Sequence, residues 1–252
     1  MSFNQRQTEL VEFVHKTGFV TIDSLVKRLN VTPQTIRRDL NKLASEGAII
    51  RHHGGAEATS SSANAPYQSR KIMNLDAKEK IAKEVANLIP NGASLFINIG
   101  TTTESIAKAL LNHTNLNIVT NNIHVATILS VKEDFKVIIA AGEVRHRDGG
   151  IIGEATCDFI SQFHMDFGII GISGISSDGS LLDFDFREVK VAQAIIENST
   201  TVILATDHSK FGRNAMVKQG SISQIDHLFT DQMPNDELNE VLENHHVITH
   251  VV

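Results

Sequence analysis

Gln34, Arg38, Asn41 and Ser45 fall on one side of a helix at about 100° per residue, with Arg37 and Lys42 flanking them. Those side chains suit duplex DNA: Arg donates two bonds to guanine, Gln and Asn pair with adenine, and Lys or Arg anchors phosphates. A second chemistry recurs further along. Gly100-Thr101-Thr102-Thr103 follows the β-like run Leu95-Phe96-Ile97-Asn98-Ile99 and opens a helical pattern. Backbone N–H groups, hydroxyls and a helix N-terminus together make a phosphate cradle. Thr120-Asn121-Asn122 follows the next strand and offers amides to hydroxyls. Ala141-Gly142-Glu143 and Asp148-Gly149-Gly150 bracket a loop holding Arg145 and Arg147. Asp207-His208-Ser209-Lys210 ends another strand, with Lys210 a point charge for phosphate. Each segment taken alone reads equally as turn chemistry. Their recurrence at successive strand ends favours one shared anionic ligand.

The first set needs a helix held at the surface. Leu10, Val11, Phe13 and Val14 stripe a first helical pattern that Gly18 ends. Thr21 caps a second, in which Ile22, Leu25, Val26 and Leu29 recur at helical spacing. Asn30-Val31 breaks it. Thr32 then caps a third, with Pro33 at its first position and Ile36, Leu40 and Leu43 on its buried face. Two helices joined by a short turn, the second presenting Gln, Arg, Asn and Lys outward, form a helix-turn-helix. After Gly47, Ala48-Ile49-Ile50-Arg51 reads as a strand and His52-His53-Gly54-Gly55-Ala56 as a turn. Pairing of that strand with Phe19-Val20 would make a wing that brings Arg51 and His52 to the DNA backbone. The bland alternative is a three-helix interaction module, without DNA, whose charges are merely solvated.

Residues 57–75 are rich in Ser, Ala and Asn and carry Pro66, as a linker would. Asp76 and Glu79 then resemble a capping box ahead of Ile81, Val85 and Ile89. From there β-like stretches at 94–99, 117–120, 136–140, 166–171, 201–205 and 227–230 alternate with helical patterns at 103–111, 123–131, 154–163 and 187–198. That alternation predicts an α/β domain with a mainly parallel sheet. The expected division is a winged helix-turn-helix over 1–58, a linker over 59–75 and an α/β domain over 76–252.

Charge follows the same division. Residues 1–56 carry eight Lys/Arg against five Asp/Glu, whereas 76–252 hold 13 basic and 23 acidic groups, within a net charge of −6. A basic module beside an acidic one fits a polyanion partner for the first alone. With 41% hydrophobic and 21% charged residues the chain is neither disordered nor fibrous. The run Met1-Ser2-Phe3-Asn4-Gln5-Arg6 lacks a secretory apolar stretch, no segment reaches the roughly 18–20 apolar residues of a membrane span, and Cys157 is the only cysteine. A cytoplasmic protein without membrane contact is expected, with Cys157 as buried packing.

The string Val31-Thr32-Pro33-Gln34-Thr35-Ile36-Arg37-Arg38-Asp39-Leu40, followed by Gly47 and Arg51-His52-His53-Gly54-Gly55-Ala56, resembles the DNA-binding domain of the DeoR family of bacterial repressors. The resemblance puts the recognition helix at Pro33–Ser45 and implies contacts to double-stranded operator DNA from Thr32, Gln34, Thr35, Arg37, Arg38, Asn41, Lys42, Arg51 and His52. The strand-end segments resemble the family's C-terminal sensor domain, which is similar to sugar-phosphate isomerases such as ribose-5-phosphate isomerase. By that resemblance Gly100, Thr101, Thr102 and Thr103 bind phosphate and Lys210 assists, with Asn121, Asn122, Gly149 and Gly150 completing an effector site. Leu110-Leu111-Asn112-His113, the segment 147–156 and the segment 207–217 narrow the resemblance within the family, implying glycerol 3-phosphate or a similar small phosphate as effector. No cofactor is implied. A homo-oligomer, dimer or tetramer, is expected because helix-turn-helix proteins read paired half-sites.

Three readings differ in class or ligand: a repressor of glycerol metabolism genes released by that phosphate, a repressor sensing another sugar phosphate, and an isomerase with a DNA-binding attachment. An isomerase needs a general base beside its substrate. Asn98 stands where the family often has an acid and cannot serve as one, while Glu143, Glu188 and Asp207 are candidates without a defining motif. Asp183, Asp185 and Glu188 are expected to face solvent or cap a helix. His52-His53 and His245-His246 are adjacent pairs without the i, i+4 spacing of a helical zinc site, so no metal is expected. A repressor, not an enzyme, is the expectation.

Overall fold

The computed structural model describes residues 3–17, 19–58 and 64–252, and the chain divides into two compact units between Leu75 and Asp76. In the first unit α1 (Gln5–Thr17), β1 (Phe19–Thr21), α2 (Ile22–Leu29), α3 (Pro33–Ser45), β2 (Ile49–His52) and β3 (Gly55–Ala58) follow in order. The expected stop at Gly18 lies outside the described residues. Thr21 accepts from Ser24 N at 3.2 Å and Thr32 from Thr35 N at 3.3 Å, so both helices of the turn start on a hydroxyl cap. Between them Asn30 takes the left-handed conformation (φ 50°), a shape asparagine tolerates well. Leu10, Val14, Leu25, Ile36, Leu40 and Leu43 are fully buried in one core. Each such side chain contributes roughly 1.5–3 kcal/mol on burial.

The wing is assembled differently from expectation. β3, not β2, lies against β1, and the sheet order is β1-β3-β2 with Val20 opposite Ala56 and Ile50 opposite Glu57. The chain turns at His53-Gly54, and Gly55 allows the close approach: a Cβ there would stand 2.2 Å from Val20 O. Part of the expected linker also belongs to this unit. α4 (Tyr67–Ile72) lies within it, and Ala65 and Met73 bury with Phe19.

The second unit is a doubly wound α/β domain. α5 (Leu75–Leu88) leads in; Asp76 stands inside its first turn, so the expected capping box is not its start. There follow β4 (Ser94–Ile97), α6 (Thr101–Ala109), β5 (Asn117–Thr120), α7 (Ile123–Leu129) and β6 (Lys136–Ile139). Next come β7 (Glu143–Val144), β8 (Ile151–Ile152), α8 (Glu154–Ile160), β9 (Met165–Ile170), β10 (Gly174–Ile175), β11 (Ser180–Asp183) and α9 (Phe186–Glu197). β12 (Ser199–Ala205), β13 (Val217–Ser221), β14 (His227–Thr230), α10 (Asp236–Asn244) and β15 (Ile248–Val251) complete the chain. Seven strands form a parallel sheet in the order β15-β14-β12-β9-β4-β5-β6. Leu95 and Ile97 bury on one face and Phe96 on the other, as a strand covered by helices on both sides requires. The winding reverses between β4 and β9, where such folds open a ligand crevice at the strands' carboxyl ends.

Candidate functional site

On the reading helix, Gln34, Arg37, Arg38, Asn41 and Lys42 are all exposed. Thr32 is spent on the cap, and Thr35 Oγ1 lies 3.0 Å from Thr32 Oγ1. Asp39, one residue past Arg38, is buried and locks α1 against α3: Arg6 Nε donates to it at 2.7 Å and Gln7 Nε2 at 3.0 Å. Burial alone would raise the Asp39 carboxyl. The bonds from Arg6 and Gln7 and the charges of Arg6 and Arg38 outweigh it, so its pKa lies below the usual carboxylate value.

β2 turns Arg51 and His52 to opposite faces, as the alternation of a strand dictates. Arg51 is half-buried, donates to Gly55 O at 2.9 Å, and keeps its Nε enclosed without a hydrogen-bond partner. Burial and the nearby charge of Arg37 lower its pKa. Two cations held within reach of each other favour an anion between them. His52 departs from expectation: its side chain is 1% exposed, its Nε2 lies 3.0 Å from Glu57 Oε2, and its ring meets Phe19 edge-on, so it braces the wing from within.

In the second unit the register pairs Ile97 with Thr120, setting Asn98 beside Asn121 at the carboxyl ends of β4 and β5. Asn98 is buried and its Oδ1 accepts from Ile99 N at 2.7 Å. The Thr103 hydroxyl, wholly buried, donates to Asn98 O and Gly100 O, both 2.8 Å away. That hydroxyl closes the turn instead of facing a ligand. The first intrahelical bond of α6 runs from Glu104 N to Gly100 O at 3.1 Å, so the amides of Thr101, Thr102 and Thr103 precede it and point out of the helix start.

Asn121 is fully buried; its Nδ2 donates to Ile151 O at 3.1 Å, and its Oδ1 is enclosed without a partner. The Asn122 side-chain Oδ1 caps α7, accepting from His124 N at 2.9 Å, while its Nδ2 lies 3.5 Å from Glu104 Oε1. Asn122 and Gly150 form a β-bridge, and Gly150 packs on Ile99 so closely that a Cβ would fall 2.5 Å from the Ile99 side chain. Asn98, Gly100–Thr103, Asn121, Asn122 and Gly150 therefore share one corner. Lys210 is half-buried in a short turn after β12, with Asp207 accepting from Ser209 N at 3.0 Å. β12 is two strands from β4, roughly 10 Å across the same end of the sheet.

Sequence reasoning missed what holds this corner. Arg145, 5% exposed, donates twice to Asp148 at 2.8 Å and once to Asp185 at 3.0 Å, and pairs with Glu188 at 2.6 Å. Burial opposes its charge, yet those carboxylates raise its pKa. Of the expected acidic cluster, Asp185 and Glu188 thus close on a buried cation, while Asp183 is buried apart from it and accepts from Phe184 N; the capping expectation holds, since Asp185 also caps α9. The network ties the loop that carries Gly149 and Gly150 to the start of α9. Glu104, Arg213 and Lys78 are further buried charges missed in this unit; Arg213 donates to Ser173 O at 3.0 Å and lies over the Phe184 ring. The candidate bases are committed elsewhere: exposed Glu143 to Arg187, Glu188 to Arg145, Asp207 to its turn. Cys157 is half-buried against the core, and burial pushes its thiol pKa up. Among the described residues no cluster of His, Cys, Asp or Glu is placed to hold a metal, and no helix is long and apolar enough to cross a membrane.

The DeoR-like helix-turn-helix domain matches residues 6–62, and the DeoR C-terminal sensor domain matches residues 73–232. The chain belongs to the DeoR family of DNA-binding transcriptional repressors. It is 59% identical, over 98% of each chain, to the glycerol-3-phosphate regulon repressor of Escherichia coli. The repressor of the same name in Haemophilus influenzae is 51% identical, over 96% of this chain and 95% of its own. With such relatives the protein is a regulator and not an isomerase. Among solved structures, ribose 5-phosphate isomerase A from Methanocaldococcus jannaschii aligns with a TM-score of 0.40 and 14% identity, over 55% of each chain.

Proposed function

We propose that this repressor controls genes of glycerol and glycerol-3-phosphate metabolism, and that a small phosphorylated effector, glycerol 3-phosphate, releases it from its operator. Supporting the reading above all is the 59% identity to a repressor named for that regulon, which runs through both units. Exposed Gln34, Arg38 and Asn41 read base edges, while Arg37, Lys42 and the half-buried Arg51 hold phosphates. The effector's phosphate sits on the amides of Thr101, Thr102 and Thr103 with Lys210 as counter-charge, and Gly149 and Gly150 line the approach. The protein acts in the cytoplasm as a homo-oligomer, dimer or tetramer, reading paired half-sites. Fluorescence anisotropy on operator duplexes tests the reading: glycerol 3-phosphate is expected to lower operator affinity, and unchanged affinity at saturating effector overturns it.

A further inference from the structure

The turn at 100–103 answers only half of a phosphorylated polyol. Phosphate oxygens accept hydrogen bonds, and amides at the start of α6 donate them. Hydroxyl groups also donate, and to be read they need acceptors. Two buried acceptors lie in the same corner. Because Asn121 Nδ2 donates to Ile151 O, the orientation of that amide is set, and its enclosed Oδ1 is left with no donor; the reverse orientation would oppose two carbonyl oxygens. Glu104, in the first turn of α6, is 6% exposed and stands 3.5 Å from Asn122 Nδ2. Asn122 in turn bridges Gly150 against Ile99, and the β4–β5 register brings Asn121 beside Asn98. Neither acceptor serves a phosphate, and a carboxylate repels one.

We infer that Glu104 and Asn121 accept hydrogen bonds from hydroxyls of the effector, so that the sensor selects phosphate esters of small polyols over alkyl phosphates and inorganic phosphate. The inference rests on the 100–103 turn being the phosphate cradle. Calorimetry on the full chain, with glycerol 3-phosphate, propyl phosphate and inorganic phosphate as probes, tests it. The wild type is expected to bind glycerol 3-phosphate at least about tenfold more tightly than propyl phosphate, the loss typical of an unmade bond to a charged group. Glu104→Gln, which also lifts the carboxylate's repulsion of phosphate, is expected to erase most of that preference by weakening glycerol 3-phosphate without weakening propyl phosphate. Equal wild-type affinity for the two esters, or a Glu104→Gln protein weakened alike toward both, overturns the inference alone. Binding of none of the three probes to the wild type overturns the cradle and the inference together. The wild-type comparison decides the matter even if the variant does not fold.

Discussion

The outward face of α3 and the proposed effector corner are both built from small polar and charged side chains, but they treat water oppositely. Gln34, Arg37, Arg38, Asn41 and Lys42 stand exposed, whereas Asn98, Thr103, Asn121 and Asn122 are buried. A surface that meets DNA need only present its groups, since the duplex supplies the partners. A site that encloses a small molecule must hold each polar group by a second bond, as Asn98 is held by Ile99 N and Asn122 by the start of α7. Substitutions in the reader should therefore change binding and spare the fold, and those beneath the corner should change the fold first.

The largest effect is expected beneath the corner. Arg145→Met leaves Asp148, Asp185 and Glu188 around an empty centre, and removal of one partner from a buried network costs about 3–5 kcal/mol. Denaturant unfolding followed by far-ultraviolet dichroism should show the second unit destabilised by that amount; a loss within experimental error would mean the network is dispensable. Next comes the reader. Arg38→Ala should cost roughly 1–3 kcal/mol at the operator with stability and effector binding unchanged, whereas Arg37→Ala should weaken all duplexes alike and flatten the salt dependence. Anisotropy across salt concentrations separates the two.

A smaller effect tests the line between presenting and supporting groups. Thr32→Ala removes the cap of α3 and should cost the first unit about 1 kcal/mol of stability. Smallest is the acid response of Asp39. Its pKa is depressed in the folded chain, so its stabilising share is full above the unfolded value and is lost as pH falls through the folded one. Asp39→Asn should lower stability at neutral pH and make the acid side of the pH–stability curve shallower; an unchanged acid slope would count against the Arg6–Asp39 tie.

Legibility divided along the same line. The start and buried face of the third helix could be read from local signals, Thr32, Pro33 and the apolar spacing of Ile36, Leu40 and Leu43, while its end at Ser45 came from the family resemblance. The interior strands at 117–120 and 227–230 were equally plain from their apolar residues. The wing was not, since nothing near Ala48-Ile49-Ile50-Arg51 announces that Gly55 brings β3 between β1 and β2. Nor were α10, β15 and the short strands β10, β11 and β13, whose apolar residues are few; β10 and β11 form a local hairpin, but β13 joins it from far along the chain. Strand-end turns pointed to Asn121 and Gly150. Burial of Glu104 and Arg145 depends on which segments meet in space, and no spacing in the chain reports it.

The central claim is that the second unit senses a phosphorylated ligand while the first reads DNA, and Lys210→Met tests it most directly. The substitution removes the charge proposed to meet the phosphate and keeps much of the apolar stem. Release requires the effector to bind one state better than the other, so loss of its anchor should abolish the switch. Operator binding by this variant, followed by anisotropy during titration with glycerol 3-phosphate, should equal that of the wild type and persist as effector is added. Normal release, or operator binding lost in a well-folded Lys210→Met protein, would contradict the account.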